Sequence, residues 1–279
     1  MKTFVLLASL VLSVTQAFAQ NDPYAPMNYF EEGPFKGQLI NNKDRRSIKI
    51  VEETSESFTV ANFTHDKKYY LAIIPKNAVR DIIVHIDYFT SSIPAAHSQL
   101  RLILNHPILL RDQITNEVRT TLISDIVFSI EAIKGPSSPY GLIQGMQKHF
   151  AVSYRFMSTQ DKYRTLICDD KERTTQYNLT MSPEQKNQFL ENALRLSDKS
   201  DNKTMYHTWK VNCTTEMIRL LDSVLDRSLW TNIKSAGTTV GAHYPVFVRS
   251  SLRARKILGL ELPEFKDDTT VGLTPKDCK

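Results

Sequence analysis

Strand-type and helix-type patterns are segregated along this chain, and that segregation restricts the fold more than any other feature. Residues 46–134 read as strands. Tyr69 to Ile74 and Val79 to Tyr88 are β-branched and aromatic runs, split by a turn at Pro75-Lys76-Asn77. Leu100, Leu102 and Leu104 alternate with Gln99 and Arg101, the signature of a half-buried strand. Ile123 to Ile133 is another strand, ended by Gly135-Pro136. Residues 141–180 are mixed, and the second half is helical. Ser182-Pro183-Glu184-Gln185 supplies a cap residue, a proline at the first helical position and a Gln placed to close a capping box. Phe189, Leu190, Ala193 and Leu194 follow at helical spacing. A second helix is expected from near Cys213, with Met217, Ile218, Leu220, Leu221, Val224 and Leu225 on its apolar face. A third is expected from Pro245 to Leu258, stopping at Gly259. Strands first and helices later point to α+β, not to alternating βαβ units.

The ends are simpler. Lys2, the apolar run Phe4 to Val14, and Ala17-Phe18-Ala19 form an export signal with cleavage expected after Ala19. The run is too short for a membrane span of about 20 residues. A periplasmic or secreted location follows. Residues 20–45 are rich in Asn, Asp, Pro and Gly and read as an irregular entry segment. Residues 46–262 form one domain, and 263–279 a polar, extended tail. The chain has 279 residues, 41% hydrophobic and 23% charged, enough to bury a sizeable core. The net charge of +5 is mild and spread, without the basic stripe and interleaved aromatics of a nucleic-acid binder.

Three cysteines, Cys168, Cys213 and Cys278, leave one thiol over in an oxidising compartment. Asn212 or Cys213 caps the second helix, so the Cys213 thiol lies in a first turn, where the helix dipole favours thiolate. That suits a cysteine nucleophile, and equally a buried structural cysteine that packs as a small hydrophobe. A nucleophile needs a base. His97 shares by period two the polar face of Gln99 and Arg101, at a strand mouth. His85, on a strand with Asp87 on the same face, is a rival. If Cys213 stays a thiol, Cys168 and Cys278 can pair; the alternative leaves both reduced, with Cys168 packed under a Leu166-Ile167 strand. There is no HExxH, CxxC, phosphate loop, GxGxxG or GxSxG, so neither a metal nor another cofactor is expected. The Asn-x-Thr triplets at Asn62, Asn178, Asn202 and Asn212 read as chance.

Four segments carry a family resemblance. They are Ala96-His97-Ser98 before Leu100-Arg101-Leu102; Tyr140 to Gly145 with Tyr154 to Phe156; Arg173 to Thr180 with Ser182 to Gln185; and Tyr206 to Thr215, continuing Arg219-Leu220-Leu221-Asp222. In this order over about residues 80–230 they resemble the Lnb N-terminal periplasmic domain family, with Ala96 where the family has Gly. The resemblance implies a circularly permuted NlpC/P60 (papain-like) single domain, an antiparallel sheet with packed helices, histidine before cysteine in the chain, and a Cys213–His97 pair. It implies a thiol hydrolase or acyltransferase acting on an ester or amide; which envelope substrate, a lipoprotein, lipid or peptidoglycan fragment, does not follow from it. The competing expectation is a non-catalytic envelope binding or assembly protein that keeps the fold.

Cleavage before Gln20 is the first testable expectation. Intact mass of exported protein should show loss of residues 1–19, and an intact Met1 there would exclude it.

Overall fold

A computed structural model describes residues 22–89, 96–225 and 247–278. The expected export signal lies outside the described residues. Six strands come first: β1 (Lys49–Glu53), β2 (Ser57–His65), β3 (Lys68–Pro75), β4 (Val79–Tyr88), β5 (Ala96–Asp112) and β6 (Val118–Lys134). Asp66 and Lys67, with φ of 47° and 59°, make the two-residue left-handed turn that a tight hairpin between β2 and β3 requires. Three more strands follow, β7 (Phe150–Ser158), β8 (Arg173–Leu179) and β9 (Leu258–Leu262).

The strand order is β1-β2-β7-β6-β5-β4-β8-β9, with β3 paired to both β2 and β5. Because β2 also meets β7, strands β2, β3, β5, β6 and β7 close into a ring. Strands β4, β8 and β9 extend from β5 as an open wing. The length of β5, 17 residues, makes both possible. Its first half pairs with β4, through Tyr88↔Ala96 to Val79↔Leu104, and its second half with β3, through Ile73↔Leu109 to Tyr70↔Asp112.

One face of this sheet is apolar and carries α3 (Pro183–Ser200) and α4 (Cys213–Asp222). The α3 start is the expected capping box: Gln185 N donates to Ser182 Oγ at 3.2 Å, and Ser182 N donates to Gln185 Oε1 at 2.9 Å. Phe189, Leu190, Ala193 and Leu194 of α3 join Met217, Ile218, Leu220 and Leu221 of α4 in a core with Leu100, Leu102, Phe128 and Ile130. At full burial each such side chain contributes about 1.5–3 kcal/mol, so this contact organises the molecule.

The other face is polar, and it too is covered. Its cover is α2 (Thr159–Tyr163), the π-helical turn Arg164–Asp169 that follows it, and the segment from Pro263 onward. Tyr163 and Leu166 pack with Phe265 and Val271 in a small second core. Cys168 and Cys278 form a disulfide between the two parts of the cover, with Cα atoms 5.1 Å apart. The tail is therefore not extended: it folds into three short 3-10 turns around these contacts. Leu166 and Ile167 lie on the π-helical turn, not on a strand.

The third helix also differs from expectation. Within the described residues, α5 (Val248–Ala254) stops well before Gly259, which lies inside β9. A Cβ on Gly259 would stand 2.7 Å from Asn178 O, so this glycine serves close strand approach and does not cap a helix.

The disulfide spans 110 residues, and in the chain-entropy model a closure of that length stabilises by about 4–5 kcal/mol. Urea unfolding with and without reductant should show a loss of that order, and Cys168→Ser should reproduce it. Coincident oxidised and reduced transitions would show that the bridge constrains little.

Candidate functional site

Cys213 opens α4 as its first residue. Asn212 is the cap: Thr215 N donates to Asn212 Oδ1 at 2.9 Å, and Asn212 N donates to Thr215 Oγ1 at 2.9 Å. The thiol is buried, 3.9 Å from Thr214 Oγ1, which in turn lies 2.9 Å from Ser98 Oγ. Burial pushes the thiol above its ordinary pKa, and hydrogen bonds from Ser98 and Thr214 oppose this only in part. The Tyr206 phenol beside it is also pushed up, by burial first and by the neighbouring sulfur second.

His97 lies elsewhere. The β5 register runs without a break from Asp87↔His97 to Ile83↔Arg101, so consecutive residues face opposite sides. Ser98, Leu100 and Leu102 face α4, whereas His97, Gln99 and Arg101 face the polar layer. His97 Nε2 is 3.0 Å from Ser129 Oγ, which donates to Glu131 Oε1 at 3.1 Å. Glu131 is ringed by Arg155 Nη1 at 2.7 Å, Lys162 Nζ at 3.3 Å and Arg45 Nε at 3.4 Å. Burial alone would push the Glu131 carboxyl up, but Arg155, Lys162 and Arg45 outweigh it and hold it well below the usual range. Burial and then Lys162 lower the His97 imidazole to about 3. The structure thus does not bring the two expected site residues onto one face.

His85 and Asp87 share that polar face, as their spacing predicts. His85 is fully buried with its ring 4.5 Å from Phe265. Burial, then the nearby Arg101 charge, lowers it to about 3. Asp87 accepts from Gln99 Nε2 at 3.0 Å, and burial raises it to about 6. Glu172 is raised to about 7, by burial first and then by Asp87 and Asp170. The layer therefore holds two neutral imidazoles beside the buried Asp87 and the half-buried Glu172, both carboxyls shifted toward neutrality.

Ser129, Glu131, Arg155 and Lys162 escaped the sequence reading. A usable signal existed for three of them: Ser129 and Glu131 alternate with Phe128 and Ile130 inside the Ile123 to Ile133 run, which sends them to the polar face. Arg155 likewise alternates with Tyr154 and Phe156, and nothing local marks Lys162.

Among the described residues one group has metal-ligand proximity, His65, Asp66 and Asp161, with ligand atoms within 4.8 Å of one another. Its atoms already have protein partners. Asp161 accepts from the backbone N–H of Asp66 and Lys67 at 2.9 and 3.2 Å, Arg164 reaches Asp66 at 2.5 Å and Asp161 at 3.5 Å, and His65 Nδ1 is 2.8 Å from Ser158 Oγ. The cluster clamps the β2–β3 hairpin to α2. Of the Asn-x-Thr triplets, Asn62, Asn202 and Asn212 have buried side chains bound to neighbouring backbone.

The model of the Lnb N-terminal periplasmic domain family matches residues 66–252. The chain belongs to that family, which places it in the periplasm, and no described helix is long and apolar enough to cross a membrane. No curated protein and no solved structure matches it.

Burial of a neutral His85 contributes acid lability to the fold. Its folded pKa is about 3 against an ordinary 6.5, so between those values the unfolded chain binds the proton first. The stability that His85 contributes is fully present above the upper value and falls as pH drops through the window. His85→Phe should fill the same space against Phe265 and shrink the loss of Tm between about pH 7 and about pH 4. An unchanged loss in the variant would assign the lability to other groups.

Proposed function

We propose that this Lnb-family domain works in the periplasmic envelope as a binding or assembly module, on a circularly permuted NlpC/P60-like framework. The observation that carries this reading is the alternation along β5. Ser98, not His97, faces the α4 thiol, and the imidazole is engaged with Ser129. A cysteine nucleophile needs a base within hydrogen-bond reach and a lowered pKa. Here the thiol is raised by burial. The permuted arrangement is supported by chain order: the strand with His97 precedes α4, which packs on that strand.

One observation favours a second reading, a thiol hydrolase or acyltransferase with Cys213 as nucleophile and His97 as base. Cys213 stands in the first turn of a capped helix, and the Ser98 backbone hydrogen-bonds to its sulfur. In that reading the sulfur attacks an ester or amide carbonyl of a lipoprotein, lipid or peptidoglycan fragment and forms an acyl-enzyme. The imidazole takes the thiol proton and gives it to the alcohol or amine that leaves as the C–O or C–N bond breaks; it then activates water or an acceptor amine, which takes the acyl group and restores the thiol.

The disulfide leaves Cys213 as the free thiol, so alkylation reports on it alone. The binding-module reading expects slow iodoacetamide labelling with an apparent pKa above the unperturbed value of about 8.5, unmoved by His97→Ala. Labelling well below that value, shifted upward by His97→Ala, would establish the dyad and overturn the binding-module reading. Cys213→Ala is the blank.

A further inference from the structure

The connection between β6 and β7 carries α1 (Leu142–Met146), a single turn that is turned inside out. Its buried residue is Gly145, whose Cβ would stand 2.3 Å from Thr208 Oγ1 and 3.0 Å from Tyr206. Thr208 Oγ1 also donates to Leu142 O at 2.7 Å, so the inner side is pressed against the loop that leads into α4. The outer side holds the large apolar groups: Leu142 is 47% exposed, Ile143 60% and Met146 39%, with Tyr140 at 55%. A surface helix of a globular protein normally does the reverse.

The surroundings say what this ridge fits. Trp209 Nε1 lies 3.1 Å from Met146 Sδ, so an indole flanks one end, and Tyr140 flanks the other. Lys134 Nζ stands 4.8 Å from the Tyr140 ring centroid, and Arg45 donates to the Tyr140 hydroxyl at 2.6 Å. Lys134 and Lys210 are exposed and pair with no carboxylate among the described residues. Aliphatic tips, aromatic shoulders and these two lysines, Lys134 over Tyr140 and Lys210 next to Trp209 in the chain, together match the boundary of a bilayer, where the tips enter the acyl region and the cations meet anionic headgroups. The overall charge, with or without the export signal, has the same sign.

We infer that α1 with Tyr140 and Trp209 docks the domain on an anionic lipid surface. The inference extends the envelope-binding reading by naming the surface bound. It concerns a site apart from the Cys213 thiol, so vesicle binding and the alkylation profile fail independently. Docking here sets the start of α4 beside the headgroups, because Trp209 stands just before the Asn212 cap.

The experiment is co-sedimentation of the exported protein with phosphatidylcholine vesicles, with and without about 30% phosphatidylglycerol. Binding should require the anionic lipid and weaken with salt. Leu142→Asp with Ile143→Asp should reduce the partition constant by roughly tenfold or more, from the transfer value of a buried aliphatic side chain. Lys134→Glu or Lys210→Glu should each reduce it by about fivefold. All four residues are exposed, so the melting temperature should change little. Absence of partition, equal partition onto both vesicles, or partition unmoved by the Leu142/Ile143 variant overturns the inference. Self-association that the same variant abolishes would instead make the ridge a contact between copies of the chain.

Discussion

The guanidinium of Arg101 allows a polar sheet face to be buried at all. It has no solvent exposure, and it ties four parts of the chain together. Nε donates to Asp125 on β6 at 2.9 Å, Nη1 to Gln176 on β8 at 3.2 Å and to Asp268 at 2.5 Å, and Nη2 to Thr270 at 2.9 Å. A charge removed from water is tolerated only when opposite charge and hydrogen bonds replace the hydration. Two carboxylates and two neutral oxygens do this for Arg101. Asp268 in turn, despite a burial that would raise it, is held at about 2 by Thr270, Gln176 and Arg101. The cover over the polar face is thus selected by charge as well as by the apolar contacts of Phe265 and Val271.

The strands and helices whose pattern is local were legible. Period two gave the pairing faces of β4 and the first half of β5, and the Ser182 to Gln185 box marks the α3 start to the residue. Elements that depend on distant partners were not. Residues 258–262 continue an apolar run and contain a glycine, which reads as a helix ending, but Gly259 answers to Asn178 of β8 across the chain. The tail reads as polar and extended because its apolar residues, Phe265, Val271 and Leu273, are sparse. They find burial only against Tyr163, Leu166 and Ile167 from another region.

The candidate site follows the same division. The positions of Cys213 as the first residue of α4 and of His97 on the polar side of β5 were both legible from local pattern. Their meeting was not, because it concerns which side of one sheet each element occupies. The alternation that identifies His97 as polar also separates it from α4, which packs against the leucine side. The polar face was expected to look outward. Its burial converts surface groups into a layer of shifted protons, with Asp87 near 6 and His85 near 3.

The origin of the cover has a consequence for how the molecule is made. Everything beneath it is encoded before residue 180, whereas Phe265, Asp268 and Cys278 arrive late in synthesis and translocation. Until they do, Arg101 lacks one of its two carboxylates and the polar layer stays wet. The ring of strands, and the part of its leucine side that α3 and α4 cover, need no residue after Asp222, although Val248, Leu252 and Ile257 complete that side later. The polar side therefore cannot close until the chain is made almost to its end, and oxidation of Cys168 with Cys278 records that closure.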